Sequence, residues 1–454
     1  MNDIALKLEQ ILLEIENFGP DLAAKMTQQK STPVGKEKDA VINPYGIAIG
    51  SAFGNSDPAK QTLMFQSTQN LLYETARDIL HEIGLSDRVT VNAAVKHLQN
   101  ALGEIRSSPK PIDFHLLLRN VVPQIEAEQI EATYYFPIVF SQNPSKFSEA
   151  FGPLTFGSSD GLAEIIEGVS HNRDNSDSWN DLFAEAWDSV LKRAKHYAAV
   201  SIHGFDAQSG RAAGQSAVEF WLNLLRMSFK WDGQAKVFTL ASSITHLRTP
   251  SLVVTKAGDP HQTLAGPRSE YIPLRGGDDE EVVKSLTPDR NLIGSIIQGM
   301  TNGSLSKSAA LRQIDYASFL ISSAYAQTSV RIMLVNVVSA LEALACLKGN
   351  GKSEQLSNRC KSIPYGLSDE DRETVEKAVR QAYTARTDVV HGDAHEERQY
   401  WLKDRALEPW LLPLILNFSG LLASFESKNN TSPDIGGLRQ LFKAHFNQLK
   451  REKT

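Results

Sequence analysis

An arginine and a histidine five residues apart, Arg386 and His391 in the stretch QAYTARTDVVHGDAH, are the pair in this chain best suited to chemistry. A guanidinium presents its N–H donors in a planar fork that matches two oxygens of a phosphate or carboxylate. An imidazole exchanges a proton near neutral pH, so it can serve as acid or base. Together they suit the binding of an anion and the movement of a proton beside it.

Their setting is unusual. A helix starting at Ser368 carries Val375, Val379, Ala382 and Val389 on one apolar face, and the spacing puts Arg386 on that same face. A guanidinium is not left dry and unpaired among apolar groups. Three arrangements satisfy it: it snorkels to water, it pairs with an acid such as Glu342 of the neighbouring helix, or the face meets solvent or a second subunit. His391 by itself reads as a C-terminal residue favoured by the helix dipole. Five residues of continuous helix rotate the chain by about 140°, so the two side chains would not share a face. Gly392 permits the chain to leave the helix at once and His391 to swing towards the arginine.

The elements that must position this pair are legible along the chain. At 454 residues, two or three domains are expected. Ile4, Leu8, Ile11, Ile15 and Phe18 mark a first helix ended by Gly19-Pro20. Residues 27–40 read as a mobile linker, and Asp57-Pro58 opens a helix carried by Leu71, Leu72, Ile79, Leu80 and Ile83. Two more helical stretches reach about residue 130. From ATYYFPIVFS to about 280, β-rich runs (PLTFG, AAVSIHGF, AKVFTLA, SLVVT, EYIPL) alternate with helical segments around 178–197 and 212–229. Beyond 283 the pattern is helical again. Val330, Leu334, Val337, Leu341 and Leu344 mark one helix stopped at Gly349, Ser368 with Asp371 forms a capping box, and Leu438, Leu441, Phe442, Phe446 and Leu449 line the last. The expectation is a multidomain α+β protein: a mostly helical N-terminal region (1–130), a mixed α/β middle domain (131–282) and an all-α helical bundle (283–454).

Composition narrows the function. The net charge of −6 divides into +3 over residues 305–454 and −9 over the remainder, so nucleic-acid contact must be local or assembled by association. Two cysteines, Cys346 and Cys360, exclude a disulfide framework and a four-cysteine zinc site. The start MNDIALKLEQILLEIENFG predicts no secretory leader, and the apolar stretch near 410–425 is too interrupted to span a bilayer. A cytoplasmic protein without membrane contact is expected.

The string Tyr383-x-x-Arg386-Thr387-x-Val389-Val390-His391-Gly392 resembles the signature of HEPN-domain proteins, an Arg and a His separated by four to six residues. It is most similar to the Apea-like HEPN subgroup, with a small hydroxyl residue after the arginine and His-Gly after two aliphatics. The upstream VSALEALACL also resembles that subgroup's helix, with Glu342 at its acidic position. The likeness covers roughly residues 305–425. It implies a HEPN-type bundle that dimerises about a two-fold axis, with both motifs facing one cleft. It implies RNA cleavage in which the substrate's 2′-hydroxyl attacks its own phosphate, His391 moves the proton and Arg386 stabilises the developing charge, with no cofactor. A prokaryotic role in antiviral or toxin-type defence follows, with the N-terminal two-thirds sensing a trigger or recruiting a partner protein. By position, Asp388 or Tyr383 would orient the histidine. Many HEPN nucleases carry Asn, Asp or His where this chain has Thr387. That departure and the acidic N-terminal part favour an alternative, a non-catalytic HEPN scaffold binding nucleotide, RNA or a partner protein. An open, basic cleft shared by two chains favours the nuclease, and an Arg386 buried against Glu342 within one chain favours the scaffold.

Other signals carry less. His391-x3-His395 with Asp388 has metal-ligand spacing, but Gly392 and Glu396-Glu397 suit a solvated turn better. LRGGDDEE lacks the lysine of a phosphate loop, and the His203-Gly204 of SIHGF has no arginine five residues ahead.

Overall fold

The computed structural model describes residues 2–17, 66–106, 113–139, 147–158, 160–162, 164, 194–228, 239–240, 249–255, 260–265, 279–305, 308–325, 330–345, 351–363, 368–391, 406–429, 437 and 440–444. They divide into two compact units: Met1–Ile130 with Gly204–Gly210, and Glu131–His203 with Arg211–Thr454.

The first unit is helical: α1 (Asn2–Asn17), α2 (Gln66–Glu82), α3 (Val91–Arg106) and α4 (Phe114–Glu126). Of the apolar spacing expected for α1, Ile4, Leu8 and Ile11 are buried in one core with Leu72, Ile79 and Val121, while Phe18 and the Gly19-Pro20 stop lie outside the described residues. The α4 start is set by Asp113, whose carboxylate accepts from the backbone N–H groups of His115 and Leu116. Asp206 ties the short Gly204–Gly210 segment to this unit. Its Oδ2 accepts from the Thr90 backbone N–H at 2.6 Å and the Thr90 hydroxyl at 2.7 Å. The linker at 27–40 and the Asp57-Pro58 helix start lie outside the described residues.

The second unit opens with strands β1 (Ile130–Val139), β2 (Ser148–Phe151), β3 (Leu154–Ser158) and β4 (His196–Phe205). Helix α5 (Ala207–Ser228) and strands β5 (Thr239–Leu240), β6 (Thr249–Thr255) and β7 (Pro260–Ala265) follow. The sheet order is β2-β3-β4-β1-β6-β7, with β5 also on β1. The β1–β5, β1–β6, β2–β3, β3–β4 and β6–β7 pairs are antiparallel, so this middle region is of the α+β kind. Pro137, which has no N–H for a ladder, falls where β1 changes partner: residues 132–135 pair with β6 and 138–139 with β5. Of the helix expected around 178–197, residues 178–193 lie outside the described residues, and the chain is strand from His196, where burial alternates as a half-covered strand requires. The buried sheet face packs on α5 through Trp221, whose ring lies 4.6 Å from Phe156 and 5.9 Å from Phe151. EYIPL lies outside the described residues.

The helical part comprises α6 (Asp279–Lys284), α7 (Arg290–Thr301), α8 (Ala309–Tyr325), α9 (Val330–Leu344), α10 (Lys352–Ser362), α11 (Asp369–His391) and α12 (Glu408–Asn429). Leu334, Val337, Leu341 and Leu344 are buried in α9 as their spacing demands. The Ser368 capping box forms: the Asp371 N–H donates to Ser368 Oγ at 3.1 Å, and the Ser368 hydroxyl donates back to the Asp371 carboxylate at 2.7 Å. Of the last expected helix, Phe442 is buried and meets Phe418 edge-on at 5.6 Å.

Among the described residues, the contacts that join the sheet region to the helices across the expected boundary at 282/283 include one through backbone and one through polar side chains. The β2–β3 hairpin has a two-residue loop, with Gly152 at φ 62°, and its tip presses on α7. A Cβ on Gly152 would lie 2.7 Å from the Gly294 carbonyl oxygen. Beside it, Arg290 of α7 pairs with Glu149 of β2 and lies 5.8 Å over the Phe151 ring. The second contact is polar. Asn223 of α5 donates from Nδ2 to Ser318 O, Ser318 Oγ and Ser322 Oγ of α8, each at 2.9 Å. Its Oδ1 accepts from Arg226 at 2.6 Å, and Arg226 also pairs with Glu219 at 3.1 Å. Buried polar groups of this kind cost far more to orphan than they contribute when paired. Asn223→Ala is expected to lower stability by about 2–4 kcal/mol, measured by urea denaturation. A loss below about 0.5 kcal/mol would mean that the network contributes nothing.

Candidate functional site

Helix α11 holds the motif and is packed by Val375, Ala378, Val379, Ala382 and Ala385, all buried. The next residue, Arg386, sits at the edge of that stripe, where α11 meets α9. Its side chain is 25% exposed and that of Glu342, reaching over from α9, is 18% exposed; Nη2 lies 3.7 Å from Glu342 Oε2. The pair is intrachain. At that distance the contact is coulombic and no hydrogen bond forms. The guanidinium carbon lies 5.8 Å over the ring of Tyr383, one helical turn back. The Arg386 Nε is buried and has no hydrogen-bond partner among the described residues. Charge and a ring thus hold the guanidinium while donor capacity stays unused.

The Tyr383 hydroxyl lies beside the same carboxylate. Burial, and after it the Glu342 charge, raise its pKa above the ordinary phenol value, with Arg386 opposing. Thr387 uses its hydroxyl within the helix, donating to the Tyr383 carbonyl oxygen at 2.9 Å. Asp388 is half-buried one residue further on.

His391 is the last described residue of α11 and is exposed. The helix is unbroken between it and Arg386, so the two diverge by about 140° and are offset by about 7.5 Å along the axis. The structure therefore brings Arg386, Tyr383 and Glu342 together and leaves His391 apart from them. Tyr383 stands with the arginine, about two turns from the histidine that position alone suggested it would orient. Gly392 and His395 lie outside the described residues, so the glycine exit and the His391/His395 pair do too. The tyrosine–arginine contact did have a sequence signal, the three-residue spacing that stacks side chains on one helix face.

Burial pushes the Cys360 thiol up and away from the nucleophilic thiolate. Among the described residues no three His, Cys, Asp or Glu side chains gather as metal ligands, and no helix is long and apolar enough to cross a membrane.

Comparison with protein-family models, curated proteins and solved structures found no match for this chain. The likeness to HEPN proteins accordingly rests on the residues quoted above.

Proposed function

We propose that this chain is a metal-independent endoribonuclease of the HEPN type. The observation that supports this most is the state of Arg386: partly open and, among the described residues, held by one counter-charge and a ring, with a buried Nε that none of them satisfies. An anion that turns this guanidinium towards solvent would complete its hydrogen bonds. A bound RNA phosphate would take them, and in the pentacoordinate transition state the same fork would stabilise the extra negative charge. His391, exposed at the helix end, would remove the proton of the 2′-hydroxyl or supply one to the departing 5′ oxygen.

One chain directs the two groups to different sides of α11. Two α11 ends meeting about a two-fold axis would gather both arginines and both histidines in one cleft, so the active species is a homodimer formed through the C-terminal helices. Sedimentation at micromolar protein should show that dimer. A monomer in both the free and the RNA-bound state would remove the composite site. The N-terminal helical unit and the sheet would then serve to sense a trigger or receive a partner protein, in prokaryotic antiviral or toxin-type defence.

The test is direct. Purified protein incubated with total RNA in EDTA should produce fragments ending in 2′,3′-cyclic phosphate, the product of 2′-hydroxyl attack. DNA should remain intact. Cleavage that needs a divalent metal, or that cuts DNA equally well, rules this mechanism out.

A second reading has its own support. The Arg386–Glu342 pair is made within one chain, and Thr387 spends its hydroxyl on its own helix; both favour a non-catalytic HEPN scaffold that binds nucleotide, RNA or a partner protein. Oligonucleotide binding that depends on Arg386, without cleavage under any condition, would establish that reading instead.

A further inference from the structure

The Glu342 carboxylate occupies the position from which it most influences whatever anion Arg386 receives. It is the ion-pair partner of that guanidinium among the described residues, 3.7 Å from one terminal nitrogen. Both side chains are only partly exposed, so water screens them incompletely. A phosphate and a carboxylate are the same class of ligand for a guanidinium. An arriving phosphate must therefore compete with Glu342 or sit beside it, and two anions around one cation repel. The carboxylate has somewhere to go. The hydroxyl of Tyr383, on the same side of α11 as the arginine, already interacts with that carboxylate and can hold it when the guanidinium turns to a new partner.

We propose that Glu342 is an intrachain lock on the phosphate-binding arginine, occupying Arg386 until an RNA phosphate displaces it onto the hydroxyl of Tyr383. This rests on the reading of Arg386 as a phosphate ligand. It adds regulation to that reading: the resting chain holds its key cation neutralised and binds stray anions weakly. Opening requires a ligand with enough phosphates, or a movement of α9 against α11, to overcome the pair. The lock is coulombic rather than hydrogen-bonded, so it neutralises the arginine without consuming its donors.

The experiment measures binding of a 2′-O-methyl RNA oligonucleotide, which cannot be cleaved by its own 2′-oxygen, to the full chain by fluorescence anisotropy at low salt. Glu342→Gln keeps shape and an acceptor for Tyr383 but removes the charge, and it should bind about tenfold more tightly than wild type. Tyr383→Phe denies the displaced carboxylate its remaining partner and should bind about threefold more weakly. The double variant should bind like Glu342→Gln, because without the charge there is nothing to receive. Arg386→Gln should bind weakly with or without Glu342→Gln. If Glu342→Gln binds no better than wild type while Arg386→Gln binds worse, Glu342 merely props the arginine, and the lock is wrong although the phosphate reading survives. If Arg386→Gln binds as well as wild type, Arg386 takes no phosphate and both ideas fail. Thermal melting verifies that each variant is folded. Should Glu342→Gln not fold, weakened binding by Tyr383→Phe supports the lock, and unchanged binding overturns it.

Discussion

His391→Ala is expected to abolish RNA cleavage while the protein stays folded. General acid–base catalysis by a positioned side chain contributes about 10²–10⁴-fold, and its loss should appear almost entirely in kcat. The folded state has little stake in the side chain, because His391 is exposed and is the last described residue of α11. Its thermal midpoint should match wild type. Arg386→Ala should also lose about 10²–10³-fold, as removal of one transition-state donor commonly does. It should in addition lower stability modestly, because Glu342, at 18% exposure, is left without its counter-charge. Arg386→Lys should not rescue, since a point ammonium cannot grip two phosphoryl oxygens as a planar fork does. Cleavage that survives His391→Ala at the wild-type rate, in EDTA, would remove the histidine from the chemistry.

Gly294→Ala is expected to destabilise the larger unit by about 2–4 kcal/mol, the upper range for overpacking, because the new methyl meets backbone. A Cβ there would fall 2.8 Å from the Gly152 nitrogen and 3.1 Å from its Cα, and neither can move aside as a flexible side-chain end could. Gly152→Ala should cost at least as much, because its φ of 62° adds left-handed strain to a 2.7 Å contact with the Gly294 carbonyl oxygen. Urea denaturation followed by tryptophan fluorescence reads both, since Trp221 packs on Phe151 beside this joint. Unchanged midpoints in the two variants would mean that hairpin and α7 do not touch in solution. The joint also bears on how a signal from the sheet would reach the helices. With Arg290 gripping Glu149 and Asn223 bonded to α8, the sheet region and the helices share contacts within one unit. Proteolysis near 282 should therefore release no fragment that is stable alone.

What the sequence alone determined was local. The buried stripes of α1, α9 and α11 follow from side chains recurring every three or four residues, a signal contained within each helix. The Ser368–Asp371 box is a pair of hydrogen bonds three residues apart, legible for the same reason. An arginine on the edge of an apolar stripe announced that it needed a partner, and Glu342 stood among the candidates. Only the tertiary structure brought that acid to the arginine, because the pairing depends on how α9 packs on α11, which no periodicity records. Strand order was invisible for a like reason. Ladder partners come from distant parts of the chain, and β2, four residues long, is too short to carry a pattern of its own. The Gly152–Gly294 and Asn223–Ser318 joints each link residues far apart in sequence. A glycine's spacing says nothing about which backbone will approach it, so where one unit ends and another begins was decided by packing alone.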